Sequence, residues 1–133
     1  MHTMVCLETT FLVDMLRNEA SAVDKVEAFL RTGETITVAA PTVVELLSNA
    51  YRNRHVAERQ AIERFCREVT ILPLDGEAAR QAARIDAQLI EEGNVIDFAD
   101  VLIAGIALLH DETLVTRNDK HFRRIPNLNV MRY

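Results

Sequence analysis

Met4-Val5-Cys6-Leu7-Glu8-Thr9-Thr10-Phe11-Leu12-Val13-Asp14-Met15-Leu16 is the stretch whose reading decides the fold. Its first four residues are apolar without interruption, which suits a short strand buried on both faces. Phe11, Leu12, Met15 and Leu16 then recur at helical spacing and form the apolar stripe of a helix. A buried strand running straight into a helix is the first half of a strand–helix–strand crossover, and the remaining sequence repeats that unit.

Asn18 to Ala20 interrupts the first helix. Val23, Val26, Phe29 and Leu30 mark a second, closed by Gly33. Residues 36–40 read as a second strand. Pro41 ends it and opens a helix through residue 50, with Thr42 as the expected N-cap. A further helix over residues 55–68 carries Ile62, Phe65 and Val69 as its stripe, and residues 69–72 form a third strand ended by Pro73. Asp75-Gly76-Glu77 opens an Ala-rich helix that runs to Glu92 and stops at Gly93. Asp97 or a neighbour caps a helix through Leu108. Residues 113–116 are a fourth strand, residues 118–122 a turn, and residues 128–131 a fifth strand. Strands separated by helices require crossover connections, hence an α/β fold with a parallel sheet covered on both faces. Ligands of such sheets bind beyond the carboxyl ends of the strands.

Composition narrows the class. The chain has 133 residues, 49% apolar and 26% charged, with no linker or low-complexity tract, so residues 1–133 read as a single domain. No apolar run reaches the roughly 20 residues of a membrane span, and residues 1–7 lack the features of a signal peptide. Cys6 and Cys66 show no metal or redox spacing and read as buried thiols of a cytoplasmic protein. A net charge of −5 argues against holding nucleic acid by bulk positive charge. It is compatible with acids gathered around a divalent cation.

Acids fall where such a site belongs. Glu8 follows the first strand, Glu45 lies a turn beyond the second, Asp97 and Asp100 begin the helix leading to the fourth, and Asn118 and Asp119 follow that strand. Oxygen donors from four remote segments suit Mg²⁺ or Mn²⁺. Each residue also has a plainer role. Thr42 to Glu45 fits a capping box. Asp97 and Asp100 suit the first turn of a helix, and Asn118 and Asp119 are ordinary turn formers. Glu8 is hardest to assign so, because a carboxylate at the end of a buried strand needs partners. Asp97 and Asp100 are three apart and share a helix face. Asp14, deeper in the first helix, is expected to face solvent.

Together these segments resemble the PIN domain, in particular the toxin nucleases of VapBC-type pairs. The carriers are Val5 to Asp14, Val43-Val44-Glu45-Leu46, Ala99-Asp100-Val101-Leu102-Ile103-Ala104-Gly105, and Leu114 to Phe122 followed by Ile125-Pro126-Asn127-Leu128. The resemblance spans the chain in order. It implies a three-layer α/β/α sandwich around a parallel sheet of four or five strands, and an acidic site for Mg²⁺ or Mn²⁺. The family's acids fall on Glu8, Glu45 and Asp100, and its fourth position on Asn118. Two positions depart: Glu8 stands where the family usually has Asp, and Asn118 brings an amide instead of a carboxylate.

The implied activity is metal-assisted hydrolysis of RNA, leaving a 5′-phosphate and a 3′-hydroxyl. Glu8, Glu45 and Asp100 are the expected metal ligands, with Asn118 completing the catalytic set. Thr10, Thr116, Asp97 and Asp119 are supporting residues. Arg117, Lys120 and Arg123, with His121 and Arg124 beside them, would guide the strand, as would Arg52, Arg54 and His55. The resemblance also implies a small antitoxin partner and a homodimer. A weakened PIN domain that only binds RNA or protein is the competing reading. A phosphate-receiver domain is the second alternative, and the lack of paired acids after the first strand and of an Asp after the third argues against it.

Overall fold

The computed structural model describes residues 4–133. In chain order the elements are β1 (Met4–Leu7), α1 (Thr9–Leu16), α2 (Ala20–Arg31), β2 (Thr35–Ala39), α3 (Ala40–Arg52) and α4 (Val56–Glu68). They continue with β3 (Thr70–Leu72), α5 (Gly76–Glu92), α6 (Phe98–Leu109), β4 (Thr113–Val115), α7 (Asp119–Phe122) and β5 (Asn129–Met131). One sheet of five strands runs in the order β3-β2-β1-β4-β5, with every pairing parallel. The expected α/β sandwich is the observed one, with five strands.

Strand periodicity sorts the core into two layers. Val5 and Leu7 of β1 point to one face, where they join Phe11, Leu12, Phe29, Leu46 and Ile62 from α1 to α4. Cys6 points to the other, with Leu114, Ile85, Leu89, Ile103 and Ala104 beneath α5 and α6. Burying each large aliphatic or aromatic chain contributes about 1.5–3 kcal/mol, which offsets the entropy of ordering the short strands. Ala78, Ala82, Ile85 and Leu89 form the buried stripe of α5. Gly105 of α6 lies against it so closely that a Cβ there would sit 2.8 Å from that of Ala82. This close seat fixes the helix that carries Asp100.

Sequence and structure differ at several points. α3 begins at Ala40, with Ala39 in the N-cap position and no side-chain cap. Thr42 is therefore not an N-cap; it is fully buried within the first turn. The strand runs into the helix without a loop, because Pro41 supplies a helix-compatible φ at the start. Asp97 does occupy the N-cap of α6, but its side chain makes no capping bond. Cys6 is buried as expected, whereas Cys66 is only half-buried. Asp14 is buried, contrary to expectation. Among the described residues no helix is long and apolar enough to cross a membrane.

The strand order reverses direction at β1: the chain moves outward through β2 and β3, then returns to place β4 on the other side. The crevice beyond β1 and β4 is thus the switch point where α/β sheets bind ligands.

Candidate active site

Glu8 sits at that point because it is the residue after β1. Its backbone N–H continues the ladder to the Val115 carbonyl at 3.0 Å, and its side chain caps α1. Glu8 is 2% exposed, and its carboxylate accepts three hydrogen bonds. Oε2 accepts from the Thr10 backbone N–H at 3.0 Å, and Oε1 from the Thr10 hydroxyl at 2.8 Å and the Thr116 hydroxyl at 2.5 Å. Thr116 is itself fully buried, just past β4, where its N–H bonds the Met131 carbonyl. The partners that a buried carboxylate demands are therefore two threonine hydroxyls and a helix N-terminus.

Glu45 is exposed on α3, and its Oε1 accepts from the Thr9 hydroxyl at 2.7 Å. The same hydroxyl lies 3.2 Å from that of Thr42. Glu45 thus binds the start of α1, and no bond returns it to the Thr42 amide as a capping box requires. Asp100, in the first turn of α6, is buried. Burial, then the negative charges of Glu8, Glu45 and Asp97, push its carboxyl up to about 7. Four acids from three segments therefore share one electrostatic neighbourhood.

Asn118 reaches the same place indirectly. Its backbone N–H donates to the Thr116 hydroxyl at 2.9 Å, and its amide Nδ2 lies 2.9 Å from Nδ1 of His121. That Nδ1 is 4.0 Å from Oδ2 of Asp100. Asp119 turns aside to Arg123 at 3.2 Å and Arg132 at 3.6 Å, so it does not replace the missing fourth carboxylate. Among the basic residues, Arg123 is committed to Asp119, Arg124 donates to the Val95 carbonyl, and Lys120 is exposed. Arg52 lies 3.5 Å from the Asn49 side chain, and His55 caps α4 by accepting from the Glu58 N–H at 3.1 Å. Arg117 is ion-paired with Asp14.

Four contributors escaped the sequence reading. Thr9 is the hydroxyl between α1 and Glu45, and neither periodicity nor spacing distinguishes it from Thr10. His121, read only as a basic residue, links Asn118 towards Asp100. Asp14, buried, and Tyr133, half-buried, form a pair in which the Tyr133 hydroxyl donates to Asp14. Burial and that bond push the tyrosine up to about 12, and the Asp14 charge raises the Arg117 guanidinium further.

The donor set suits a hard divalent cation. It is oxygen-rich and anionic: burial first, and then the charges of Glu8, Glu45 and Asp97, disfavour the ionised Asp100, and a cation would offset that charge. Among the described residues, no three His, Cys, Asp or Glu side chains are gathered closely enough to hold a metal as they stand. The acids share an anionic neighbourhood, and the Thr10 and Thr116 hydroxyls orient the Glu8 carboxylate through Oε1 while Oε2 accepts a single hydrogen bond.

This fold and acid arrangement define a class, and the family model for the PIN domain matches residues 5–128. The chain belongs to the PIN-domain family. Within it, the chain is 30% identical to Ribonuclease VapC19 of Mycobacterium tuberculosis, over 94% of this chain and 97% of that protein. It is 27% identical to the tRNA(fMet)-specific endonuclease VapC of Shigella flexneri, over 93% of each. Its fold is similar to VapBC2 from Rickettsia felis bound to a promoter DNA fragment, with a TM-score of 0.89, 24% identity and coverage of 98% and 99% of the two chains. VapBC from Salmonella typhimurium bound to DNA gives a TM-score of 0.87 at 25% identity, covering 99% and 98%.

Proposed function

We infer that this chain is an endoribonuclease that hydrolyses RNA phosphodiester bonds with Mg²⁺ or Mn²⁺ held by Glu8, Glu45 and Asp100, and that it is the toxin of a toxin–antitoxin pair. The observation that carries the site is Asp100, buried among the charges of Glu8, Glu45 and Asp97 in a PIN fold. When bound, such an ion supplies an activated water and neutralises charge on the phosphoryl oxygens.

The chain's own residues do the rest. Thr10 and Thr116 hold the Glu8 carboxylate in one orientation, which fixes the longer side chain that replaces the family's usual Asp. Asn118, held by Thr116 and His121, orients water or a phosphate oxygen by hydrogen bonding. Asp97 adds negative charge beside Asp100 and strengthens cation binding. Lys120 and Arg123 guide the strand on the exposed side of the site. Asp119 supports that surface by orienting Arg123. The products are a 5′-phosphate and a 3′-hydroxyl.

A small antitoxin partner follows from the kinship with VapBC toxins, and co-expression with it is expected to suppress cleavage. A homodimer and a cytoplasmic setting complete the reading, the latter in keeping with two free thiols. Residues 1–133 act as one domain.

Glu45→Gln is the sharpest test, because the amide oxygen can still accept the Thr9 hydroxyl while the charge is lost. Mn²⁺ affinity and RNA cleavage are expected to fall together, each by at least tenfold. Parental values for both would remove Glu45 from the site.

A further inference from the structure

Asp14, on α1, is bonded to residues other than the acids around Asp100. It is 4% exposed and has two partners drawn from distant parts of the chain. The Arg117 guanidinium pairs with it from the loop after β4, and the Tyr133 hydroxyl reaches it from the last residue, beyond β5. Both partners also touch Thr10. The Arg117 backbone N–H donates to the Thr10 hydroxyl oxygen at 3.1 Å, and the Tyr133 hydroxyl lies 3.3 Å from the Thr10 carbonyl. The Tyr133 ring is held edge-on against Phe11, with centroids 4.6 Å apart at 75°.

These contacts converge on what Glu8 needs. Glutamate has one more rotatable bond than aspartate, so its carboxylate stays in place only if its partners are themselves immobile. Those partners are Thr10 and Thr116. Thr10 is bounded by Arg117 and Tyr133, and Thr116 is the residue before Arg117. We propose that Asp14, Arg117 and Tyr133 form a brace of positioning residues that locks the start of α1 to the loop after β4, and thereby sets Glu8 and Asn118 for metal binding and hydrolysis. Arg117 then acts through Asp14 and not chiefly as a contact to the RNA strand. The proposal rests on the function inferred above.

Tyr133→Phe tests it with the least disturbance, since the ring and its contact with Phe11 remain. Mn²⁺ affinity is measured by titration calorimetry without RNA, and kcat and KM on an RNA that the parent cleaves. For Tyr133→Phe and Arg117→Ala, Mn²⁺ affinity and kcat are each expected to fall about tenfold, with KM within twofold. The double variant is expected to fall little further than the worse single one, because the two residues act as one unit. Arg117→Lys, which keeps the charge on Asp14, recovers part of the loss.

Two outcomes overturn the brace. One is that both single variants keep parental Mn²⁺ affinity and kcat and lose only thermal stability. The other is that Arg117→Ala raises KM while leaving kcat and Mn²⁺ affinity intact, which makes Arg117 a strand contact. A parent that binds no Mn²⁺ at all overturns the inferred function itself and the brace with it.

Discussion

Two buried glutamates stand at opposite ends of the central strands, and they are treated in opposite ways. Glu8, just past the end of β1, is 2% exposed and receives three hydrogen bonds. Glu112, just before β4, is 1% exposed and receives one, from the Thr37 hydroxyl. Its Oε2 has no partner, and Nε2 of the neighbouring His110 is also buried and unpaired. Burial, with Asp111 adding to it, pushes the Glu112 carboxyl above its ordinary range against the opposing pull of Thr37 and His110. At one end a buried acid is surrounded by donors and held still. At the other it is left short of partners and driven towards its neutral form. Burial alone therefore does not mark a functional acid; the convergence of donors and of other carboxylates does.

The largest effect tests the first half of that contrast. Asp100→Ala is expected to lower Mn²⁺-dependent RNA cleavage by about 10²–10³-fold, whereas Glu112→Gln leaves it within twofold. A gel assay on one RNA decides this, and equal losses in the two variants would erase the distinction between the ends. Thr116→Val is smaller: it removes one of the three donors to Glu8 at near-constant shape. Cleavage should drop about tenfold with KM unchanged. A loss confined to KM would mean that Thr116 touches substrate and does not support Glu8.

The smallest effect concerns the other end. The folded Glu112 carboxyl titrates above its ordinary value of 4.5, so the fold holds a proton that the unfolded chain has released. Its favourable contribution is complete below 4.5 and is lost as pH rises through the folded value. Glu112→Gln cannot ionise and should flatten this dependence. It is expected to become more stable than the parent at the upper end of the range, where the parent's Glu112 is driven to ionise. Urea unfolding between about pH 5 and 8 measures it. Parallel curves for parent and variant would show that Glu112 does not titrate there.

Much of this molecule is legible in its sequence. The strand-and-helix order follows from the short apolar runs at residues 4–7 and 114–115 and from stripes such as Ala78, Ala82, Ile85 and Leu89, whose periods are imposed by backbone geometry. The positions of Glu8, Glu45 and Asp100 relative to the strand ends were equally plain. Asp14 was not, because helix position alone says nothing about a tyrosine arriving 119 residues later. Thr42 misled for a related reason. A threonine three residues before a glutamate has the form of a capping box, and only the arrival of Thr9 from another helix shows that its hydroxyl is engaged elsewhere.

Local pattern, acting over a few residues, was enough to determine an α/β chain with acids after its first and second strands and before its fourth. Which polar groups meet depended on contacts between residues 33 to 123 positions apart, such as Thr9 with Thr42 and Tyr133 with Thr10. Those partnerships arise because β1 lies between β2 and β4 in the sheet, so its end and the loops around it converge at the switch point. Periodicity carries no information about such closures, whereas tertiary packing decides which hydroxyl finds which carboxylate, and so which acids are held ready and which are merely buried.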